Sequence, residues 1–199
     1  MLKIFGFLGE SAPAGSITSK MEEVFCISSQ FTSFVKYTHN NLYIIYEDAI
    51  THKEDGYFIT KEGGAGCFVV GNVFAYAKNK AIQNDRYGIA EFIFYGFEKG
   101  GTEFLKGLRG AYGIILFKNG KVRIVNDIMG SYPMYIRKTQ DGFFFCNKAE
   151  PIIWMARDNR IDFQGLSRFL VYGFVPEGET FISGLKNQEP GSVTTLHAG

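Results

Sequence analysis

Hydrophobic positions in this chain recur at two spacings, and the alternation between them outlines the elements. From Leu2 to Leu8 the residues are apolar and aromatic, broken only by glycine, and the shortness of the run and its GESAPAGS flank predict a buried strand. In ITSKMEEVFCISS, Ile17, Met21, Val24, Phe25 and Ile27 or Ser28 fall on one rough helical stripe, with Ser16 or Thr18 as cap and Cys26 on the apolar side. TSFVKYTH, NLYIIYED, GYFITKE and GCFVVGNVFAYA then alternate with period two between Asn-Asn, Asp-Gly and Gly-Gly signals, and predict hairpins of one antiparallel sheet. NDRYGIAEFIFYGFEKGG and TEFLKGLRG return to helical spacing, with Ile89, Phe92, Ile93 and Phe97 on one face and a Gly-Gly break between two helices.

From Ala111 the period is two again. AYGIILFK, KVRIVND, YPMYIRK and GFFFCNK predict short strands joined by tight turns, forming a second antiparallel sheet. AEPIIWMAR and DFQGLSRFLVYGF predict two further helices, and the Pro- and Gly-punctuated remainder ends in a strand. The order of strands and helices implies an α+β layer architecture, with two mainly antiparallel sheets and helical layers outside them.

At 199 residues the chain has room for one sizeable core. Lys and Arg total 21 against 20 acidic residues, which gives no broad electrostatic footprint for nucleic acid or an anionic membrane. No run approaches a membrane span, and the expectation is a cytoplasmic protein. Cys26, Cys67 and Cys146 are odd in number and widely spaced, so neither a disulfide framework nor a metal site is expected. His39, His52 and His197 are scattered and read as surface or turn residues. The 20 phenylalanines and 11 tyrosines lie in alternating strands without interleaved basic residues, which favours core and interface packing over base stacking.

The second half resembles the glutaminase-type domain of the asparagine synthetase family, the class II glutamine amidotransferases of the N-terminal nucleophile (Ntn) hydrolase fold. Leu108, Gly110, Tyr112 and Ile114 are similar to the family's Leu-x-Gly-x-Phe-Ala-Phe run. NDIMGSYPMY is similar to its Arg-Asp-x-x-Gly-x-x-Pro-Leu-Tyr run, with Asp127, Gly130, Pro133 and Tyr135 in register. GFFFCNKAEPII, DFQGLSRFLVYGFVP and ETFISGLKNQEPGSV continue the likeness in order, and FGFLG resembles the family's opening Cys-Gly-Ile-x-Gly at Gly6 and Gly9. The resemblance implies a four-layer αββα sandwich.

It also implies a chemistry whose residues are missing. The family's nucleophile is an N-terminal cysteine with its own α-amino group as base. Phe5 stands at that position, behind Met1 to Ile4, so thiolate and free amine are both lost. The family holds the glutamine carboxylate with an arginine, and this chain has none before Arg86. The family's Asn-Gly oxyanion pair is inverted as Gly71 and Asn72, and the acidic residue that holds the substrate amine falls at Ile89. Phe5, Gly6, Gly71, Asn72 and Ile89 therefore outline a vestigial pocket with no catalytic residue, into which Phe5 is expected to pack. Asp127, Gly130 and Pro133 are assigned to a structural turn in which Asp127 accepts backbone N–H groups.

Degenerate starts of this kind resemble β-lactam synthetases and lasso-peptide cyclases. Residues 1–175 are read as the degenerate glutaminase-type domain and 176–199 as a closing strand and the start of a linker. The Ser-Gly-Gly-x-Asp-Ser pyrophosphate loop of the family's ligase domain does not occur, so ATP and magnesium are expected only on a ligase domain outside this chain, and no cofactor within it. The implied role is a structural or regulatory partner of that ATP-dependent amide-forming domain, in cis or trans, docked through the aromatic strands and the tail after Val175, with a homodimer as a further expectation. Two other readings stay open. One is a glutamine hydrolase with a different nucleophile, Ser11 or Cys26; the other is a free-standing module binding a small molecule near Phe5, Gly71 and Asn72.

Overall fold

The computed structural model describes residues 3–28, 34–47, 56–76, 80–81, 88–156, 159–176 and 178–197. The class is α+β with two antiparallel sheets, as expected. The chain divides into two compact units: residues 1–47 with 133–189 and 198–199, and residues 48–132 with 190–197.

The first unit holds a six-stranded sheet in the order β11(Leu185–Asn187), β9(Tyr135–Lys138), β10(Gly142–Cys146), β1(Ile4–Gly9), β3(Leu42–Glu47) and β2(Phe34–His39). β1 is central, and all six of its residues are buried, which explains why it reads as a continuous apolar run. α1(Gly15–Ser28) and α3(Ala149–Met155) cover one face, where Met21, Val24, Phe25 and Ile152 meet Phe5, Phe7, Tyr43, Ile45 and Phe144. The helix α4(Phe163–Tyr172) starts at Asp162, whose carboxylate accepts from Gln164 N at 2.9 Å and Gly165 N at 3.1 Å.

The second unit holds β12(Val193–His197), β8(Lys121–Asn126), β7(Leu108–Lys118), β5(Ala65–Tyr76) and β4(Tyr57–Ile59) in that order, with β6(Lys80–Ala81) paired to β5. α2(Ile89–Lys106) packs Ile93, Phe94, Phe104 and Leu105 against Val69, Val73, Tyr112 and Ile114. Gly101 breaks the helix with φ 56° and ψ −143°, a conformation a side chain would oppose, so the two predicted helices run on from one another across a kink.

Three expectations need correction. The sheets do not follow sequence order: β2 and β3 share a sheet with β1, whereas β4 and β5 share one with β7 and β8, and β9 and β10 return to the sheet of β1. Period two identifies strands but not partners, and each sheet here is assembled from both halves of the chain. Ser16 and Thr18 do not cap α1, which begins at Gly15; Thr18 Oγ1 donates to Gly15 O at 3.0 Å inside the first turn. Cys26 is exposed, because its neighbour Phe25 takes the buried stripe and the next residue lies about 100° round the helix.

Candidate functional site

Phe5, expected at the nucleophile position, lies within β1. Phe5 is in register with Ile45 on one side and Cys146 on the other, and Lys3 and Ile4 precede it in peptide linkage. Asn147 Oδ1 accepts from Lys3 N at 2.8 Å and Ile4 N at 3.1 Å, which ties down the segment before the strand. Lys3 Nζ lies 3.3 Å from the buried carboxylate of Glu47. The Phe5 ring has no exposed surface and packs among the rings and side chains beneath α1 and α3, with its centroid 6.2 Å from that of Phe144. On the opposite face of β1, the Phe145 ring occupies the space beside Gly6 so closely that a methyl group there would overlap it.

The remaining residues of the expected pocket belong to the second unit. Gly71 sits in β5 opposite Tyr112 with φ 89°, and a Cβ would overlap both the Ala111 carbonyl oxygen and the Tyr132 ring. Asn72 is exposed and paired with Ala111, just before a register shift between Val73 and Ala75. Ile89 opens α2 and packs half-buried against the helix-facing core, preceded by Gly88, which supplies no side-chain cap.

Asp127 is the most thoroughly engaged polar group of the second unit. Its buried carboxylate accepts from Tyr112 N at 3.1 Å, Met129 N at 2.8 Å, Ser131 N at 3.0 Å and Ser131 Oγ at 3.1 Å. Its carbonyl accepts from Gly130 N at 3.0 Å and Gly191 N at 2.8 Å, so one residue joins the β7 strand, the loop after β8 and the approach to β12. Gly130 lies against Pro190, and Pro133 follows the turn, leading into the half-buried Tyr135 of β9. Burial, and then the Asp127 charge, push the Tyr112 hydroxyl above its ordinary pKa.

The thiols offer little nucleophilic character. Burial pushes Cys67 and Cys146 well above the ordinary thiol range, and a thiol rather than thiolate is a poor nucleophile. Ser11 is exposed in the bend after β1, and Cys26 is exposed on α1. Among the described residues no group of three or more His, Cys, Asp or Glu side chains is placed to hold a metal ion. No helix of the described residues is long and apolar enough to cross a membrane.

Residues 63–199 match the glutamine amidotransferase domain family. The chain belongs to that family. This amidotransferase domain is 30% identical over 91 residues to asparagine synthetase [glutamine-hydrolyzing] 1 of Bacillus subtilis, covering 45% of the chain and 14% of that protein. It is 26% identical over 117 residues to a putative asparagine synthetase [glutamine-hydrolyzing] of Mycobacterium bovis, covering 56% of the chain and 18% of that protein. The matched segment thus spans less than a fifth of these relatives.

Among solved structures, the domain is similar to glutamine phosphoribosylpyrophosphate amidotransferase from B. subtilis in complex with ADP and GMP, with a TM-score of 0.53, 12% identity, and 98% of this chain and 49% of that one covered. The allosteric regulatory enzyme of purine biosynthesis gives a TM-score of 0.56 at the same identity and coverage. The fold is therefore that of the Ntn-hydrolase glutamine amidotransferases, and the domain is of class II, related to asparagine synthetases.

What sequence reasoning missed at the site is the set of covering rings. Phe145 and Tyr132 lie in strand and loop runs full of aromatic residues, and only the three-dimensional register brings one beside Gly6 and the other beside Gly71.

Proposed function

We propose that this amidotransferase domain does not hydrolyse glutamine and acts instead as a structural or regulatory partner of an ATP-dependent amide-forming ligase domain, in cis or in trans. The observation that carries this reading is Phe5: the residue at the nucleophile position is a phenyl ring, fully buried in a helix-covered core, with its nitrogen in a peptide bond. Attack on an amide carbonyl needs a nucleophile and a base at that place, and neither is present. On this reading the start of the chain is of the kind seen in β-lactam synthetases and lasso-peptide cyclases, in which an internal amine replaces ammonia.

The partner surface is best sought on α4. Leu170, Val171 and Phe174 are 75%, 76% and 60% exposed, with Phe163 and Tyr172 beside them, and bare apolar area of this kind marks an interaction face. It precedes Val175, and adds to the aromatic strands and the tail after Val175 as a candidate docking surface. The asparagine synthetases matched here extend far beyond the aligned segment, which makes an ATP-dependent ligase domain the fitting occupant.

Glutamine hydrolysis by the purified chain, its start verified by intact mass, tests the catalytic half of the proposal. Background-level turnover is expected, and turnover abolished by a single Cys or Ser substitution would overturn it. For the docking half, light scattering at rising concentration is expected to show self-association of the bare α4 face, relieved in the Leu170→Glu, Val171→Glu double variant. A monodisperse chain that binds no hydrophobic dye would remove the support from α4.

A further inference from the structure

A cleft of about 850 Å³ opens in the first unit, between the start of α1, the β9–β10 hairpin and the end of α3. That is room for a small organic molecule. Its floor is apolar, made by Ile17, Phe144 and Met155 at the border of the core beneath α1 and α3. Arg137 stands in register with Phe144, so its side chain leaves β9 on the same face as the Phe144 ring. It is 6% exposed, and its Nη1 donates to Asn159 Oδ1 at 3.3 Å. Lys20, one turn into α1, supplies a second cation on the wall.

Asn159 Nδ2 donates to Ile153 O at 2.8 Å and to Ala156 O at 3.4 Å, which occupies carbonyls at the end of α3. In the hairpin, Gly142 O accepts from both Thr139 N and Thr139 Oγ1. Lys138 also borders the cleft, but its ammonium lies 5.6 Å from the centre of the Phe143 ring, on the other face of the strand. Among the described residues, Lys20, Arg137 and Lys138 against Asp141 leave the lining with two net positive charges, beside a floor that favours carbon.

We propose that this cleft binds a small carboxylate with an apolar body, the body lying on Ile17, Phe144 and Met155 and the carboxylate directed to Lys20 and Arg137. The guanidinium and ammonium suit a carboxylate head, and the positive lining favours an anion. None of Phe5, Gly6, Gly71, Asn72 or Ile89 takes part, so the inference does not depend on whether the domain hydrolyses glutamine.

The experiment titrates the full chain with phenylacetate, followed by thermal shift and calorimetry, beside phenylethanol, acetate and inorganic phosphate. Lys20→Glu removes a cation from an exposed helix position, and Lys186→Glu on β11 is its surface control. The expected result is saturable binding of phenylacetate, weakened at least about ten-fold by Lys20→Glu and unchanged by Lys186→Glu, with the other three probes weaker by a similar factor. The proposal is overturned by absent phenylacetate binding, by equal effects of the two variants, by phenylethanol binding as tightly, or by acetate or phosphate doing so.

Discussion

The Asp127 turn and the β1 strand hold different kinds of residue. At Asp127 a buried carboxylate accepts four hydrogen bonds, and the backbone carbonyl beside it accepts two more. At Phe5 no polar side chain is present, and the position is filled by ring carbon packed under two helices. A carboxylate that organises a turn cannot be lost without stranding its donors, whereas a ring in the core leaves no donor to strand. The contrast teaches that the Asp127 carboxylate serves folding through its hydrogen bonds and Phe5 through packing.

The strongest way to break the contrast is at Phe5. Phe5→Ala empties the helix-facing core of unit one and is expected to lower stability by about 3–5 kcal/mol in urea unfolding. Phe5→Cys puts a thiol at the nucleophile position yet leaves it buried without an α-amine, and no glutamine turnover is expected. Turnover in Phe5→Cys would mean that one side chain alone silences the site, and the rings beside Gly6 and Gly71 would then be bystanders.

Asp127→Ala comes next. Removing the acceptor leaves Tyr112 N, Met129 N and Ser131 N without their partner, and a loss of about 3 kcal/mol is expected, with Asp127→Asn recovering part of it. A loss below about 0.5 kcal/mol would show that water replaces the carboxylate freely, and the turn would no longer count as a determinant of the fold.

Most elements were legible because spacing encodes burial locally. Met21, Val24 and Phe25 announce α1, and the Gly100-Gly101 pair announces the kink in α2. The partition of strands between sheets was not legible, because β2 and β3 differ from β4 and β5 in nothing that alternation measures; the partner is chosen by contacts distant in sequence. At the candidate site the sequence supplied an expectation, a set of missing residues headed by Phe5 and the absence of an arginine before Arg86. The environment of Phe5 was not legible, because strand parity says that Phe5 and Phe7 share a face without saying that α1 and α3 cover it.

Gly71→Ala sharpens the comparison at the other end of the expected pocket. The glycine combines φ 89° with a Tyr132 ring and a carbonyl oxygen where Cβ would lie, so backbone strain and overlap add. A loss of about 2 kcal/mol is expected by thermal and urea unfolding. Gly71→Ala in a Tyr132→Ala background should cost less, because the ring overlap is gone and only the strain and the carbonyl contact remain. Equal costs in both backgrounds would show that the ring moves aside at little expense, and that Gly71 is not sealed by it.

The smallest effect concerns a polar cluster that, like Asp127, serves packing. Glu22 on α1 accepts from Lys36 Nζ at 2.5 Å and from the Tyr43 hydroxyl at 2.6 Å, and these two bonds hold its pKa below the ordinary carboxylate value. A depressed folded pKa stabilises the protein above the unfolded carboxylate pKa, and that contribution fades as pH falls through the folded value. Burial, followed by the bond to Glu22, pushes the Tyr43 hydroxyl upward, which keeps it a donor throughout this range. Because Glu22 and Lys36 are substantially exposed, screening limits the gain, and Glu22→Gln is expected to cost less than about 1 kcal/mol at neutral pH. The gap between wild type and variant should narrow as pH falls from about 5 toward about 2, measured by urea midpoints at each pH. A gap that stayed constant over that range would show that Glu22 acts through packing on Tyr43 and not through its charge.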